Sequence, residues 1–401
     1  MHKKVFSGLL IIALIAIALL SARPSTAEPK ILRIGENCAQ SGIFSAWDQL
    51  SSWEVDALED IINESGGITV KGQSYIIEIV RADNKSDMDG AVTAARKLVF
   101  DKKVNIAIGP SQWLARATGP IYEQNNVLHL CPWNTLGPGE LDASTPLGFL
   151  CTNATVGYYI TGGFAALKTI YPDAKTVVPV GAEAGPAAPV INSLLKETGK
   201  RNGITVLDDL IPVPDAIVDV TPIAIKLNTY KDADAIIYVN AMQTTVAGIV
   251  KSLRGMGNNT PMICTTVLDC NQVIELTGTE AAIDVVTAGM NPGFSGNPPI
   301  MNKIYDKVAA EQGPYPMVMT NANCLYMLKQ VIEAAQSLDV KDIAAKWESM
   351  ETIDTVFGKG YICGNETYGI KNHAVSHPIP LQIIKDGACN IYGWIDIGII
   401  P

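Results

Sequence analysis

The amino-acid sequence predicts an α/β protein with two doubly wound, parallel-sheet lobes. Short β-rich apolar segments alternate with amphipathic helical segments from residue 31 onward, and this alternation is typical of a parallel sheet covered by helices. One set of alternating segments precedes Phe149 and a second set follows it. Two sheets of this type, joined by strands that pass between them, predict two lobes with a cleft.

The first set of elements has four strands and three helices. Apolar residues at helical spacing identify a helix that ends at the pair Gly66 and Gly67. The predicted strands are residues 31–36, 75–82, 104–109 and 127–130, and the helices are residues 51–64, 89–100 and 115–124. The short connections between them favour parallel pairing.

The second set follows the same pattern, and the chain then changes in texture. Its predicted strands are residues 176–180, 204–210, 235–240 and 262–266, and its helices are residues 187–200, 220–230, 244–256 and one from Asn271. From Val285 a strand and a Gly/Pro-rich loop precede helices over residues 300–312, 320–337 and 340–349. Residues 361–397 are rich in strands and turns, which favours antiparallel edge strands.

The first 27 residues (1–27) have the pattern of a secretory signal peptide. A basic tip with Lys3 and Lys4 precedes an apolar run over residues 9–20, and small residues stand at Ser25 and Ala27, where signal peptidase cleaves. The run is shorter than the ~20 residues that span a bilayer, and no cysteine follows it directly. We therefore expect cleavage after Ala27 and release into the periplasm without a lipid anchor.

Length and charge limit the class of protein further. The 401-residue chain is too long for one ordinary domain and has no low-complexity tract. The signal peptide contains three basic residues and no acid, so its removal changes the formal net charge from −10 to −13. A field of this sign repels phosphate backbones, so nucleic acid is not an expected partner.

Eight cysteines follow the signal peptide. An even number in an exported protein permits disulfides, and the alternative is that several are small buried apolar residues. Spacing fixes no pairing, and Cys363 with Cys389 is the pair that we would test first. Because no CxxC motif occurs, neither zinc nor thioredoxin chemistry is supported, and no cofactor is expected.

Three loops after first-set strands each contain a tryptophan with small polar residues. Their candidate binding residues are Trp47, Ser111, Gln112, Trp113, Trp133, Asn134 and Thr135. Ligands of open α/β sheets bind beyond the carboxyl ends of the strands, so these loops are expected to converge. Any single tryptophan is better explained as partly buried packing, but the convergence of three favours a cleft whose hydroxyl and N–H groups hold an anion.

The equivalent loops of the second set are residues 181–186, 240–245 and 265–269. Glu183 is the acid in the first of these loops, where it either meets a ligand amine or is a solvated loop carboxylate. Asp269 is expected to cap the following helix.

Patterns for catalysis are absent from the sequence. No HExxH, GxSxG, P-loop or GxGxxG motif occurs. His129 lies in a predicted apolar strand, and His373 and His377 flank a polar loop without acids at ligand spacing. We therefore expect a binding protein and not an enzyme.

A series of segments along the chain after the signal peptide is characteristic in its order: residues 34–42, IINESGGI at 61–68, residues 83 and 89–98, AIGP at 107–110, residues 121–123, 132–135 and 253–257, and DTVFG at 354–358. In these segments the chain resembles the leucine/isoleucine/valine-binding family of type I periplasmic receptors. The resemblance covers essentially the whole mature chain, which makes it more specific than any single motif.

The resemblance implies a Venus-flytrap fold with three crossovers near residues 148–153, 285–291 and 354–361. The first lobe then contains residues 28–150 and 288–355, and the second lobe contains residues 151–287 and 356–401. The resemblance also implies a monomer that delivers its ligand to the permease and ATPase subunits of an ABC importer. Ligand selects the closed state by contacting both lobes.

In the family, the loops that match those of Trp113 and Trp133 hold the ligand carboxylate. Thr135 agrees with the family pattern, whereas Trp133 stands where a small residue is usual and Gln112-Trp113 replaces a serine. These differences imply a pocket of altered shape. Trp47, in the first lobe, matches an aromatic residue that covers the ligand in the family.

The second lobe departs further from the family. An aromatic residue expected near Glu183 is missing, Met242 stands near another aromatic position, and Thr266 replaces the acid that pairs with an amino-acid ammonium group. Without that acid an α-amino group loses its charge partner, so carboxylates and amides become as plausible as leucine.

One hypothesis for the ligand follows. A carboxylate or amide oxygen is held by Ser111, Gln112 and Thr135, and an apolar body lies between Trp47, Trp133 and Met242. A hydrophobic or branched-chain amino acid, or a related aromatic or aliphatic carboxylate or amide, fits this description. The alternative is a periplasmic sensor that signals to a membrane receptor, and neighbouring permease and ATPase genes would favour transport.

Overall fold

The structure, a computed structural model, describes residues 28–111, 114–133, 141–152, 154–214, 219–240, 243–265 and 269–400. The predicted signal peptide lies outside these ranges. The described strands form one sheet of nine strands and one of eight. We call the nine-stranded sheet with its helices the first lobe and the eight-stranded sheet with its helices the second lobe. The predicted α/β class with two mostly parallel sheets is confirmed.

The strands alternate with helices along most of the chain. In chain order the described strands are β1 (Lys30–Cys38), β2 (Ile68–Val70), β3 (Gln73–Asp83), β4 (Ile106–Ile108), β5 (Leu128–Cys131), β6 (Gly148–Leu150), β7 (Thr176–Ala182), β8 (Thr205–Val206), β9 (Ile211–Val213), β10 (Ala235–Val239), β11 (Met262–Cys264), β12 (Val285–Thr287), β13 (Thr352–Thr355), β14 (Gly358–Cys363), β15 (Ala374–Ser376), β16 (Ile379–Lys385) and β17 (Ala388–Ile395).

Twelve helices are described, of which those over Gly162–Ile170 and Asn365–Tyr368 were not predicted and the other ten lie near predicted positions. They are α1 (Ser45–Glu64), α2 (Met88–Arg96), α3 (Ala115–Gln124), α4 (Gly162–Ile170), α5 (Ala188–Arg201), α6 (Thr221–Asn228), α7 (Gln243–Gly255), α8 (Cys270–Thr277), α9 (Pro299–Gln312), α10 (Thr320–Ala335), α11 (Val340–Glu348) and α12 (Asn365–Tyr368). Short π-helical or 3-10 segments occur at Lys97–Asp101, Ala154–Thr161 and Gly185–Ala187. No helix among the described residues is both long and apolar enough to span a membrane.

The first sheet has the order β13-β14-β15-β6-β5-β4-β1-β3-β2. Strands β3, β1, β4, β5 and β6 are parallel neighbours in that sequence, so their carboxyl ends lie along one edge. Its main core cluster packs the sheet against helices α1, α9, α10 and α11, with Phe149 and Trp347 among its fully buried side chains. Burial of such aromatic side chains is a large part of the stability of a lobe.

The second sheet has the order β17-β16-β12-β11-β10-β7-β8, with β9 also paired to β7. Strands β7, β10, β11 and β12 are parallel, and β16 and β17 add to them as antiparallel edge strands. Alternate residues of β10 point to opposite faces, with Ile237 in one apolar cluster and Ile236 in the other. Helices therefore cover both faces, as the sequence predicts.

Three details of the predicted elements are wrong. The predicted strand over residues 204–210 is two short strands, β8 and β9, interrupted at Asp208 and Asp209. Helix α1 begins at Ser45, so Trp47 lies in its first turn and not in a loop. Its start had no sequence signal because the N-cap residue, Phe44, makes no side-chain capping bond. The edge strand β2 was not predicted.

The third crossover and the end of the first lobe also need correction. The division at residue 356 assigned residues 356–401 to the second lobe, but β14 and β15 belong to the first sheet, where Ala374 pairs with Leu150. The chain passes to the second sheet between Ser376 and Ile379, and not near residues 354–361. Strand texture alone could not show which sheet these short strands join. The other limits of the lobes stay a prediction.

One disulfide forms, and it is not the pair that we would test first, while the other six cysteines are buried thiols. Cys389 bonds to Cys270, with their Cα atoms 5.7 Å apart, and Cys363 is a buried thiol packed near Val156 and Ile400. The bond joins α8 to the edge strand β17, which lie far apart in the sequence but side by side in the second lobe. Spacing in the sequence carries no information about this contact.

Candidate functional site

The loop that follows β1 is held by the carboxylate of Asp83, the last residue of the neighbouring strand β3. Asp83 accepts hydrogen bonds from the backbone N–H groups of Gln40, Ser41 and Lys85 and from the Ser41 hydroxyl. Partial burial acts to raise the pKa of Asp83, but these hydrogen bonds outweigh it and the net pKa is lowered. The loop before α1 is therefore held on the side of the sheet, by β3.

A second carboxylate, which sequence reasoning missed, holds the same loop from the helix side. Asp48, in the first turn of α1, accepts a hydrogen bond from Ala39 N at 2.5 Å and is buried. Burial raises the pKa of this carboxyl to about 7, with a smaller contribution from the negative charge of Glu36. The sequence signal that could have indicated this role is an acid in the first turn of a helix. The two carboxylates together hold residues 39–41, in the loop that leads to Trp47 at the start of α1.

The loop after β4 requires a glycine. Gly109 has φ +81°, and a Cβ atom there would lie 2.4 Å from the carbonyl oxygen of Asn37 in β1. The peptide bond to Pro110 is cis. Ser111 follows directly and is half-buried, so the structure places this predicted residue at the carboxyl edge of the first sheet.

Two of the predicted tryptophans approach each other. The ring centroids of Trp47 and Trp133 are 6.4 Å apart with a tilt of 55°, a spacing at which aromatic side chains interact. Trp47 is half-buried, whereas Trp133 is only 6% exposed. The predicted convergence of the loops after β1 and β5 is therefore seen for these two residues.

Trp133 also links the two lobes. It follows β5 of the first sheet, but it packs in an apolar cluster of the second lobe with Tyr158, whose ring centroid is 5.5 Å away. Tyr158 in turn lies against His377, and His377 stacks on Phe357 with centroids 4.3 Å apart. These aromatic side chains run from the strand-end loops to the segment that connects β15 to β16.

The three histidines are structural in the described contacts. His129 Nε2 lies 2.9 Å from Glu123 Oε1, and His373 stacks on Phe149 while its Nε2 lies 3.1 Å from Glu348 Oε1. Burial lowers the pKa of His377 to about 4, so it is neutral near pH 7. Within the described ranges, no three His, Cys, Asp or Glu side chains are grouped closely enough to hold a metal ion.

The second lobe contributes a small recess at the carboxyl ends of β7 and β10. Its lining residues are Thr155, Ala182, Glu183, Ala184, Ile191, Leu210, Val239 and Asn240. Glu183 is exposed at this recess. Asp269 caps α8 by accepting from Asn271 N, which confirms its predicted structural role.

The remaining predicted site residues lie outside the described residues. They are Gln112, Trp113, Asn134, Thr135, Met242 and Thr266. Their neighbours in the chain are described, and Ser111, Trp133 and Thr265 all stand at carboxyl ends of parallel strands. The proposed contacts of these six residues with a ligand stay predictions.

The chain has two α/β lobes with mostly parallel sheets, and connecting segments pass between them. Strand-end loops meet near Trp133. These features define a receptor of the two-lobed binding-protein class. The sequence matches the family model described as "Periplasmic binding protein" over residues 32–388. The chain belongs to this family.

Solved structures with the same fold include three solute receptors. LivJ from Streptococcus pneumoniae, in complex with isoleucine, is 19% identical with TM-score 0.65, and the alignment covers 91% of this chain and 100% of LivJ. The leucine-binding protein LivK from Thermotoga maritima is 20% identical with TM-score 0.67, covering 91% and 99%. A solute-binding protein from Rhodopseudomonas palustris, in complex with p-hydroxybenzoic acid, is 16% identical with TM-score 0.68, covering 92% and 96%.

At these identities the likeness shows the type I periplasmic binding fold alone. None of the curated proteins matches the sequence. The nature of the ligand has to be argued from the residues of this chain.

Proposed function

We propose that this protein is the substrate-binding component of an ABC importer, which captures a small organic solute between its lobes. The observation that carries the proposal is the packing of Trp133. This residue follows a strand of the first sheet but packs among second-lobe residues, and its ring centroid lies 6.4 Å from that of Trp47. A solute that contacts these rings lies where a first-lobe side chain already packs on the second lobe, and contact with both lobes is what allows a ligand to select a closed state.

The proposed ligand is a hydrophobic amino acid or a related carboxylate or amide. Its carboxylate or amide oxygen is held by Ser111, Gln112 and Thr135, and its apolar body lies between Trp47, Trp133 and Met242. Support comes from the position of Ser111 at the carboxyl edge of the first sheet and from the two rings. Structural neighbours that hold isoleucine and p-hydroxybenzoic acid are consistent with this class.

The proposed partners are the permease and ATPase subunits of the importer, with the receptor acting as a periplasmic monomer. The protein is proposed to bind its ligand without chemical change, as expected for a member of a family of solute-binding proteins. Hinge movement is proposed at the three connecting segments, the third of which contains His377 and Pro378.

Isothermal titration calorimetry across leucine, isoleucine, benzoate, 4-hydroxybenzoate and benzamide tests the proposal. We expect at least one of these solutes to bind with quenching of tryptophan fluorescence, since Trp47 and Trp133 flank the proposed site. The variant Trp47→Ala is expected to weaken that binding, while Trp53→Ala, on the same helix, leaves it unchanged. Neither heat nor quenching with any of these solutes would contradict the proposed function.

A further inference from the structure

The recess of the second lobe is built by the close approach of two strands. A Cβ atom on Gly181 of β7 would lie 1.8 Å from the carbonyl oxygen of Val239 in β10. Beyond that contact, Ala182 N donates to the carbonyl oxygen of Asn240 at 3.1 Å. The strands therefore end side by side, and the loops that follow them form the mouth of the recess.

The backbone at Glu183 is fixed by the neighbouring strand. Glu183 N donates to the carbonyl oxygen of Val213 in β9 at 3.1 Å, and Asn192 of α5 accepts from Leu210 N at 2.8 Å. The carboxylate consequently starts from a defined position at the recess and not from a free loop.

Glu183 is the charged residue among the lining residues. Five of the others are apolar, Ala182, Ala184, Ile191, Leu210 and Val239, and two are neutral and polar, Thr155 and Asn240. Among the described residues no lysine, arginine or histidine forms an ion pair with Glu183, although Asp209 in the same lobe is paired with Lys196. A carboxylate beside apolar walls, without a protein cation, favours a cationic group from elsewhere.

The recess is connected to Trp133 through one helical segment. The ring centroid of Tyr158 lies 5.5 Å from that of Trp133, and Thr155 lines the recess. Both residues belong to the π-helical segment Ala154–Thr161, so the recess lies about one helical turn from the side chain that packs against Trp133.

Resting on the proposed function, we propose that Glu183 and the recess form a subsite for the ammonium group of an elongated dipolar solute. The carboxylate of that solute lies at Ser111 in the first lobe. Ser111 and Glu183 follow strands of different sheets, so the two charges of the ligand must be separated by its body. The class is an ω-amino acid or aminoalkyl aromatic acid, because an α-amino acid carries both charges at one carbon.

A matched pair of probes tests the subsite by calorimetry. 4-(Aminomethyl)benzoate and 4-methylbenzoate share the ring and the carboxylate and differ in the ammonium group. The wild-type protein is expected to bind the amine about two- to fivefold more tightly, as for an exposed ion pair. Glu183→Gln is expected to remove this preference and to leave 4-methylbenzoate binding unchanged.

Glu197→Gln is the matched control, since Glu197 is exposed on α5 and its described contact is with Ser193 in the same helix. The control is expected to keep the preference, and a thermal melt of each variant checks folding. Binding of 4-methylbenzoate or leucine without an amine preference, or a preference that survives in Glu183→Gln, overturns the subsite and leaves the receptor function standing. No binding by any probe or by the solutes of the earlier panel overturns both.

Discussion

The two lobes share a layout, but the buried carboxylates of the described residues, Glu36, Asp48 and Glu54, all lie in the first lobe. In the first lobe Asp48 and Glu54 are buried, and burial raises their pKa values to about 7 and about 8. In the second lobe Asp208 and Asp234 are at the surface, and hydrogen bonds lower their pKa values. Buried carboxylates thus order loops inside the first lobe, whereas Asp234 joins the amino ends of the neighbouring strands β7 and β10 at the surface of the second lobe.

The difference has a physical origin in what each carboxylate accepts. Glu54 accepts from the N–H groups of Val318 and Met319, and Asp48 accepts from that of Ala39, in places that water does not reach. Asp234 accepts from Lys175 and Thr176 N–H groups beside solvent. Desolvation dominates in the first case and hydrogen bonding in the second. Asp48 therefore preorganises the loop after β1 on the first-lobe side of the proposed site.

The largest expected effect comes from removing the side chain that joins these walls. Trp133→Ala deletes a buried aromatic residue from a second-lobe cluster, so we expect a loss of about 3–5 kcal/mol in the free energy of unfolding. Ligand binding should weaken by at least about tenfold, since the two lobes lose a shared contact. Chemical denaturation and calorimetry measure the two effects.

The control for this prediction is Trp53→Ala. Trp53 packs edge-on against Tyr315 at a centroid distance of 6.3 Å, within the first lobe. This variant should lower stability and keep binding. Equal loss of binding in both variants would mean that Trp133 acts only through general stability.

A smaller effect is expected from the buried acid of the first lobe. The pKa of Asp48 is higher in the folded protein than in the unfolded chain, so the folded state binds more protons between about pH 4 and pH 7. The contribution of Asp48 to stability therefore falls as pH rises through this window. Asp48→Asn should flatten the pH dependence and gain about 1–3 kcal/mol at pH 8, because no charge is then buried.

Urea denaturation of both proteins at a series of pH values measures this difference. Asp101→Asn, at an exposed first-lobe acid, should reproduce the wild-type profile. A profile of Asp48→Asn parallel to that of the wild type would contradict the proposed state of the Asp48 carboxyl.

The smallest effect is expected at the edge of the second lobe. The pKa of Asp234 is lowered by hydrogen bonds, first from Lys175 N, so its contribution is present above the unfolded pKa and is lost as pH falls. Asp234→Asn should cost about 1 kcal/mol at pH 7 and nothing below about pH 2. Thermal melts at both pH values measure this, with exposed Asp173→Asn as the control. A cost that is the same at both pH values would show that the charge of Asp234 is not involved.

Periodicity alone predicted most of the fold. Helix α3 has the predicted limits, and α9 differs from its prediction by one residue, because apolar spacing and terminal Pro or Gly residues report local structure directly. Strand partners are decided by contacts between distant residues. For that reason β15, whose Ala374 pairs with Leu150, was assigned to the wrong sheet, and the bond of Cys270 to Cys389 was not predicted.

The candidate site was predicted to a lesser degree. Tryptophans after strands β1 and β5 indicated the approach of Trp47 and Trp133, because the carboxyl ends of parallel strands share an edge. Asp48 was missed since its role depends on burial, which its polar helical position did not suggest. The recess at Glu183 depends on the ends of β7, β9 and β10 together, and no local pattern contains that arrangement.

Small-angle X-ray scattering tests the central claim most directly. It is recorded with and without a solute whose binding calorimetry has detected. The claim is that occupancy draws the two lobes together through contacts made near Trp133. A smaller radius of gyration in the saturated protein, with no such change in Trp133→Ala at the same solute concentration, is the predicted result. Scattering curves that coincide with and without saturating solute would contradict it.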